Sequence, residues 1–522
     1  MITATNTIHI GRLRVKHSDC DQLNATSRLT HLLNTSDLYP ASLPPSAILC
    51  VRRVHDPLPA TIQLEQPLVR PPRAWEHAVQ RRLDDLARRA VRPWHEAVLP
   101  HSNAVLFSDQ AELLACLARD WLTGAVGQCW WWKLLVPTNS NSSVITPWLN
   151  QPAYVPAAFA LLAQHAQLAR FVSRWQSHQI AHMTHDLLRQ FAITQPAELF
   201  GVNDDDVSSL STATMAIQHV VMATLSDQAR LAMLTHEQQI LIGVATLLQR
   251  APDFMRTNHW LPMLQTWQKT LNQPSSSKLS ADESRSEPAS FADEHHLTAV
   301  SDARQHQHQQ PPPDHGSHAD QASVYSTVNH AVERAEFNPL IMAEKSITAS
   351  DDLVAETEPQ LPQHMITTQL GGVLYLLNLA QRMGLYGDFT TPLTTGIRLN
   401  IWDFVARTAR RLLRQRQPAD PIWHLLATLR GTTILDQDQS SRMVTLLLPF
   451  VRRRLLSLLQ IEDQHQLGAV VCEHQAQVFC TATHLDVVLN LNDLPLAIRM
   501  AGLDRDPGWI PAAGRFVRFH FA

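Results

Sequence analysis

The sequence predicts a mainly helical α+β protein: two helical domains joined by a disordered linker, with short N-terminal strands and a small C-terminal antiparallel sheet. Three observations predict it. Apolar residues recur at helical spacing through most of 73–271 and 367–459, the text from 476 to 521 alternates with period two, and the stretch between holds few large apolar residues. The domains run 1–272 and 361–522, with the linker at 273–360. At 522 residues the chain is too long for one ordinary core.

The N-terminal part opens on strand-like text at 7–15 (TIHIGRLRV), with a second strand expected at 47–54. A helix follows at 73–92, where Trp75, Val79, Leu83, Leu86 and Ala90 share one stripe. Asp109 with Glu112 has the spacing of a capping box for a helix at 109–123, with Leu113, Leu114, Leu117 and Trp121 turned inward. Further helices are expected at 155–175, 178–192, 207–225, 236–249 and 259–271.

The linker cannot bury enough apolar surface to offset its ordering entropy. It holds 5 Lys or Arg against 15 Asp or Glu, a net of −10; the whole chain is −4, so the flanking parts together carry +6. A short island at 324–341 (Tyr325, Val328, Val332, Phe337, Ile341) has the look of a transient helix or docking segment. Seven histidines lie in the linker, but nothing there imposes metal geometry.

In the C-terminal part, helices are expected at 367–383, 401–416, 421–429 and 442–459. Strands are expected at 476–481, 485–491, 496–500 and 516–521, separated by turn text such as Asn492-Asp493 and Asp506-Pro507-Gly508. Six cysteines without a C-x-x-C pair, and no apolar run near the ~20 residues of a membrane span, point to buried thiols in a soluble cytoplasmic chain.

Chemistry is sparse. There is no phosphate loop, dinucleotide fingerprint, H-E-x-x-H or G-x-S-x-G, and no cofactor is implied. One metal-like constellation is His178-x3-His182-x2-His185 beside Asp186. On a helix these imidazoles share a face and present themselves to one ion, which gives the alternative of a metal-dependent hydrolase. The plainer reading is a polar helix face in a chain with 27 His. In the C-terminal sheet, His484, Asp486, Asp504, Asp506 and His520 are candidates to converge, although 504–508 also reads as a turn with its own Asp hydrogen bonds. Arginine clusters at Arg81, Arg82, Arg88, Arg89 and Arg92, at Arg407, Arg410, Arg411, Arg414 and Arg416, and at Arg452–Arg454 give a second alternative, nucleic-acid binding. Solvated faces, or faces covered by the acidic linker, explain them as well. Three consecutive indoles, Trp130, Trp131 and Trp132, cannot all face one core, so an interface is the favoured reading for them.

Three stretches carry a resemblance: 106–114 (LFSDQAELL) leading to Arg119-Asp120-Trp121-Leu122, 385–390 (LYGDFT) ahead of Ile401-Trp402-Asp403-Phe404, and 501–511 (AGLDRDPGWIP) running on to Phe519-His520-Phe521. Together they resemble an uncharacterised bacterial family associated with gene clusters for phage-tail-like contractile injection systems. The resemblance covers both flanking parts and implies a context, with no catalytic residues to carry over. The expected function is that of a non-enzymatic interaction or assembly protein with protein partners, an accessory to such a machine.

Overall fold

The helices of the N-terminal part follow the apolar periodicity closely in the computed structural model of the chain. It describes residues 22–40, 42–59, 61–62, 70–99, 101–135, 144–193, 228–257, 259–272, 364–387, 396–414, 419–431 and 437–521, with residues 8, 10 and 225 singly. The expected strand at 7–15, the helix at 207–225 and the linker at 273–360 lie outside the described residues or touch them only at single positions.

After α1 (Gln22–Thr35), strand β1 (Ile48–Val51) pairs antiparallel with β2 (Ala104–Phe107), Ile48 opposite Phe107. Between them α2 (Arg73–Arg88) buries Trp75, Val79 and Leu86, the stripe its spacing predicts. Helix α3 (Gln110–Leu122) is buried almost all round, as a central helix must be. Asp109 caps it, accepting the Glu112 N–H at 3.0 Å. The second half of the expected capping box is shifted by one residue, because Glu112 accepts from the Ser108 N–H at 2.9 Å and from Arg92 at 2.7 Å. The longer helices that follow are α4 (Val155–Gln164), α5 (Ser177–Gln190), α6 (His236–Arg250) and α7 (Trp260–Asn272), with α6 packed on α4, α5 and α7.

The single helix expected over 155–175 is broken. Ala166 takes φ +53°, the Gln167 N–H reaches the Leu162 carbonyl at 3.0 Å and the Ala166 N–H reaches that of Ala163 at 3.1 Å. This is a Schellman ending with alanine where glycine is usual, and Ala192 ends α5 in the same way.

In the C-terminal part, β3 (His364–Thr368) precedes α8 (Tyr375–Arg382), so the helix expected from 367 starts later. Gly371 and Gly372 make the approach possible: a Cβ on Gly371 would lie 2.3 Å from Ala476 Cβ, and one on Gly372 would lie 2.1 Å from the Val471 carbonyl. Helix α9 (Ile401–Leu412) is capped by Asn400 and packs on α10 (Ile422–Arg430), α11 (Gln437–Leu459) and α12 (Leu467–Cys472).

The sheet that follows has the order β3-β4-β5-β7-β6, with β4 (Ala476–Cys480), β5 (His484–Leu489), β6 (Gly508–Ile510) and β7 (Arg515–Phe521). Its pairs are antiparallel except β5–β7, which is parallel. The reason lies at 496–500, expected as a strand. It forms α13 (Leu496–Ala501), closed by Gly502 in the left-handed region at φ +60°, and a helical crossover returns the chain in the same direction.

Each part has its own apolar cluster, one centred on α3 to α7 and the other on α8, α9, α11 and the sheet. The described residues of the two parts nonetheless belong to one compact unit. Among the described residues no helix is long and apolar enough to cross a membrane.

The Schellman endings predict a gain: Ala166→Gly relieves a left-handed alanine at a cost in unfolded-chain entropy and should raise stability by about 0.5–1 kcal/mol in urea unfolding. A destabilised variant would show that the α4 ending is not set by this residue.

Candidate functional site

Two places on the structure concentrate polar or exposed apolar groups: the buried junction between the two parts, and the outward face of α11 and α13.

The junction centres on Asp109, 2% exposed. While Oδ1 caps α3, Oδ2 accepts the hydroxyls of Thr481 and Thr483, both at 2.7 Å. Thr481 Oγ1 in turn accepts the N–H groups of Thr483 and His484 at 3.2 and 3.0 Å. Because the single Thr483 proton goes to Asp109, its contact with His484 Nδ1 at 3.0 Å makes the imidazole the donor, which leaves Nε2 bare in the neutral ring. Tyr154 and Phe516 stack with His484, at 5.7 and 5.1 Å between centroids. Further links are the Trp509 indole N–H to the Gln190 carbonyl at 2.8 Å, Phe191 edge-on to Trp509, and Asn400 donating to Asp253.

Of the five residues expected to converge in the sheet, the structure gathers three. His520 Nε2 lies 3.2 Å from Oδ1 of fully buried Asp486, and His484 lies two residues along the same strand. Burial alone would push the Asp486 carboxyl up; the His520 hydrogen bond and the charges of His484 and His520 outweigh it and hold it low. Asp504 pairs instead with Arg499 at 3.7 Å, and Asp506 accepts the Phe519 N–H at 2.6 Å. Thr481 and Thr483 were not singled out from sequence.

His178, His182 and His185 all sit on α5 and all are exposed. His182 Nε2 and His185 Nδ1 lie 3.4 and 3.5 Å from Asp186, which Arg189 also approaches at 3.3 Å. The two rings thus share a carboxylate that is already countered by an arginine. Among the described residues no group of three or more His, Cys, Asp or Glu is placed to hold a metal ion.

Trp131 and Trp132 are buried in the N-terminal core and Trp130 packs partly buried against it, so one core accommodates all three indoles. It does so because the chain turns into a helical turn at Trp132, whose indole N–H donates to Asp120 at 2.8 Å. In the second arginine cluster, Arg407 donates to the Ser441 hydroxyl on α11, Arg410 lies over Trp423 at 4.8 Å and Arg411 reaches Thr445 at 3.3 Å. These side chains bind α9 to its neighbours. Arg453 and Arg454 remain exposed. The thiols of Cys50 and Cys129 are unbridged, and burial pushes each up to about 11. A pocket beside α4 and α6, lined by Phe159, Thr246 and Arg250, has a volume of only ≈ 30 Å³, room for about one water.

The outward face differs in kind. Val444, Leu448, Val451 and Leu455 bury one side of α11, and on the opposite side Leu446 is 72% and Phe450 66% exposed. On α13, which packs against α11, Ile498 is buried while Leu496 and Met500 are 70% and 77% exposed. Each of these two packed helices thus leaves a pair of large apolar side chains in water at an i, i+4 spacing, and exposed apolar groups of this kind mark interaction sites. Comparison with known proteins finds no matching family model, no matching curated protein and no matching solved structure.

The junction has a pH signature. Burial, the largest influence, pushes His484 down to about 4 from 6.5, against the pull of Asp486 and Asp109. The unfolded chain then binds the extra proton between these values, so the stability His484 contributes is present above pH 6.5 and is lost as pH falls toward 4. Asp253, pushed up by burial to about 6, titrates in the opposite sense, so the comparison must be made against a variant. The stability gap between the chain and His484→Phe should shrink by roughly 3 kcal/mol from pH 7 to pH 4. A gap independent of pH would show that His484 is not held neutral.

Proposed function

We propose that this chain is a non-enzymatic interaction protein that presents the outward face of α11 and α13 to a protein partner. The observation that carries the reading is the exposure of Leu446, Phe450, Leu496 and Met500 on helices whose opposite sides are fully packed. Leaving such side chains in water forgoes about 1.5–3 kcal/mol each of burial, which a partner recovers. The buried junction supports the same reading, because it fixes the sheet and its crossover helix α13 against the N-terminal part. The three stretches similar to a family of contractile injection clusters support an accessory or assembly role beside such a machine.

A photo-crosslinking residue at position 450 tests the proposal in the native host, with the exposed position Arg81 on α2 as control. A discrete protein adduct should form at 450 and not at 81. Phe450→Asp should abolish partner retention while shifting stability by less than about 0.5 kcal/mol, as expected for a surface change. The absence of any adduct at 450, or equal adducts at both positions, would contradict the reading.

A further inference from the structure

The outward stripe of α11 is bounded by charge. Arg442, Leu446, Phe450 and Arg453 follow one another at spacings of four, four and three, which places them on one line along the helix. Both arginines are exposed. At 1.5 Å per residue they stand about 16 Å apart, three helical turns. Arg382 donates to the Gly502 carbonyl at 3.2 Å, at the C-terminal end of α13. Burial, followed by the nearby charges of Arg505 and Arg454, pushes its guanidinium below the ordinary value, with Asp504 as the weaker opposing influence. Asp504 is itself engaged by Arg499. Along the exposed line of α11, Arg442 and Arg453 flank the apolar pair, against one exposed acid, Asp438, a turn before Arg442.

We propose that the occupant of this face is an acidic amphipathic helix of about three turns, its apolar side on Leu446, Phe450, Leu496 and Met500 and its carboxylates against the arginines. This rests on the reading of the face as a docking surface and names its partner's chemistry. An amphipathic helix meets such a face with apolar anchors of its own at i, i+3, i+4 and i+7, and the arginines at the two ends of the stripe supply register and association rate. A second copy of the chain is a poorer fit, because a two-fold axis across the stripe sets arginine against arginine at both ends. A lipid surface is poorer too. The apolar part of the stripe spans a single turn between arginines, and α13 has 6 residues, which falls short of the broad face that interfacial helices insert.

The test uses the full chain and two fluorescein-labelled peptides of about 14 residues, identical in their leucine stripe, one with Glu at both ends and the other with Lys. Anisotropy should show the Glu peptide binding at least about tenfold more tightly, with the difference narrowing from roughly 0.05 to 0.3 M salt. Phe450→Asp and Arg453→Glu should each weaken it by about fivefold or more with unchanged melting temperature. Equal affinity for both peptides, or binding of neither, overturns the proposal. So does sedimentation with vesicles containing about one-quarter phosphatidylglycerol, if Phe450→Asp abolishes it, since that assigns the face to anionic lipid. A concentration-dependent dimer lost in Phe450→Asp assigns it to a second copy and overturns the proposal equally. A crosslinked partner at position 450 without preference for the Glu peptide ends this inference alone; no adduct at 450 ends the docking reading itself.

Discussion

The contact on which the rest of the structure depends is the Asp109 carboxylate. A buried carboxylate is costly unless its oxygens are met by donors, and here all of them come from structure that has to form together. One oxygen caps α3; the other takes two hydroxyls from the corner between β4 and β5, more than 370 residues further on. The positive end of α3 adds to the attraction. Removing the carboxylate would therefore uncap a central helix and strand two buried threonines at once. The apolar clusters on the two sides are separate, so this polar link, with the Tyr154–His484–Phe516 stack and the Trp509 anchor, joins two cores into one body.

Much of this was legible in the sequence, and what escaped did so for identifiable reasons. The spacing of Asp109 and Glu112 announces a helix start, because capping is local chemistry. The second oxygen of Asp109 has no local signature, since its donors are distant in sequence. The only hint was the Thr481-Ala482-Thr483-His484 corner, whose hydroxyls are suited to binding neighbouring backbone N–H groups. Alternation in the final strands correctly suggested that His484, Asp486 and His520 converge. The same alternation misled at 496–500, where five residues do not distinguish helix from strand and Gly502 was the better guide. On α5, three histidines at helical spacing do share a face, yet Asp186 and Arg189 occupy the space beside two of them. The triple tryptophan looked too bulky for one core, and a turn of helix at Trp132 resolved it.

The outward face of α11 was hidden for another reason. The run Leu446-Leu447-Leu448 supplies apolar residues to every side of the helix, so periodicity does not say which side is buried. Only the packing of α9 and α13 against α11 decides that Val444, Leu448 and Val451 turn inward and Leu446 and Phe450 outward. The place of α13 in the fold matters to this face, because α13 is the crossover between strands of the sheet that Asp109 clasps. A docking surface built on such an element is presented in a fixed orientation, which lowers the ordering cost of binding.

A polar clasp, more than the covalent connection, unites the two parts. It is tested most directly by expressing residues 1–272 and 361–522 as separate chains and measuring their association. The account predicts that they co-purify as a one-to-one complex, and that Asp109→Ala weakens the association by at least about a hundredfold, in keeping with two orphaned buried hydroxyls. Two folded fragments that elute independently, or a complex indifferent to Asp109→Ala, would contradict it.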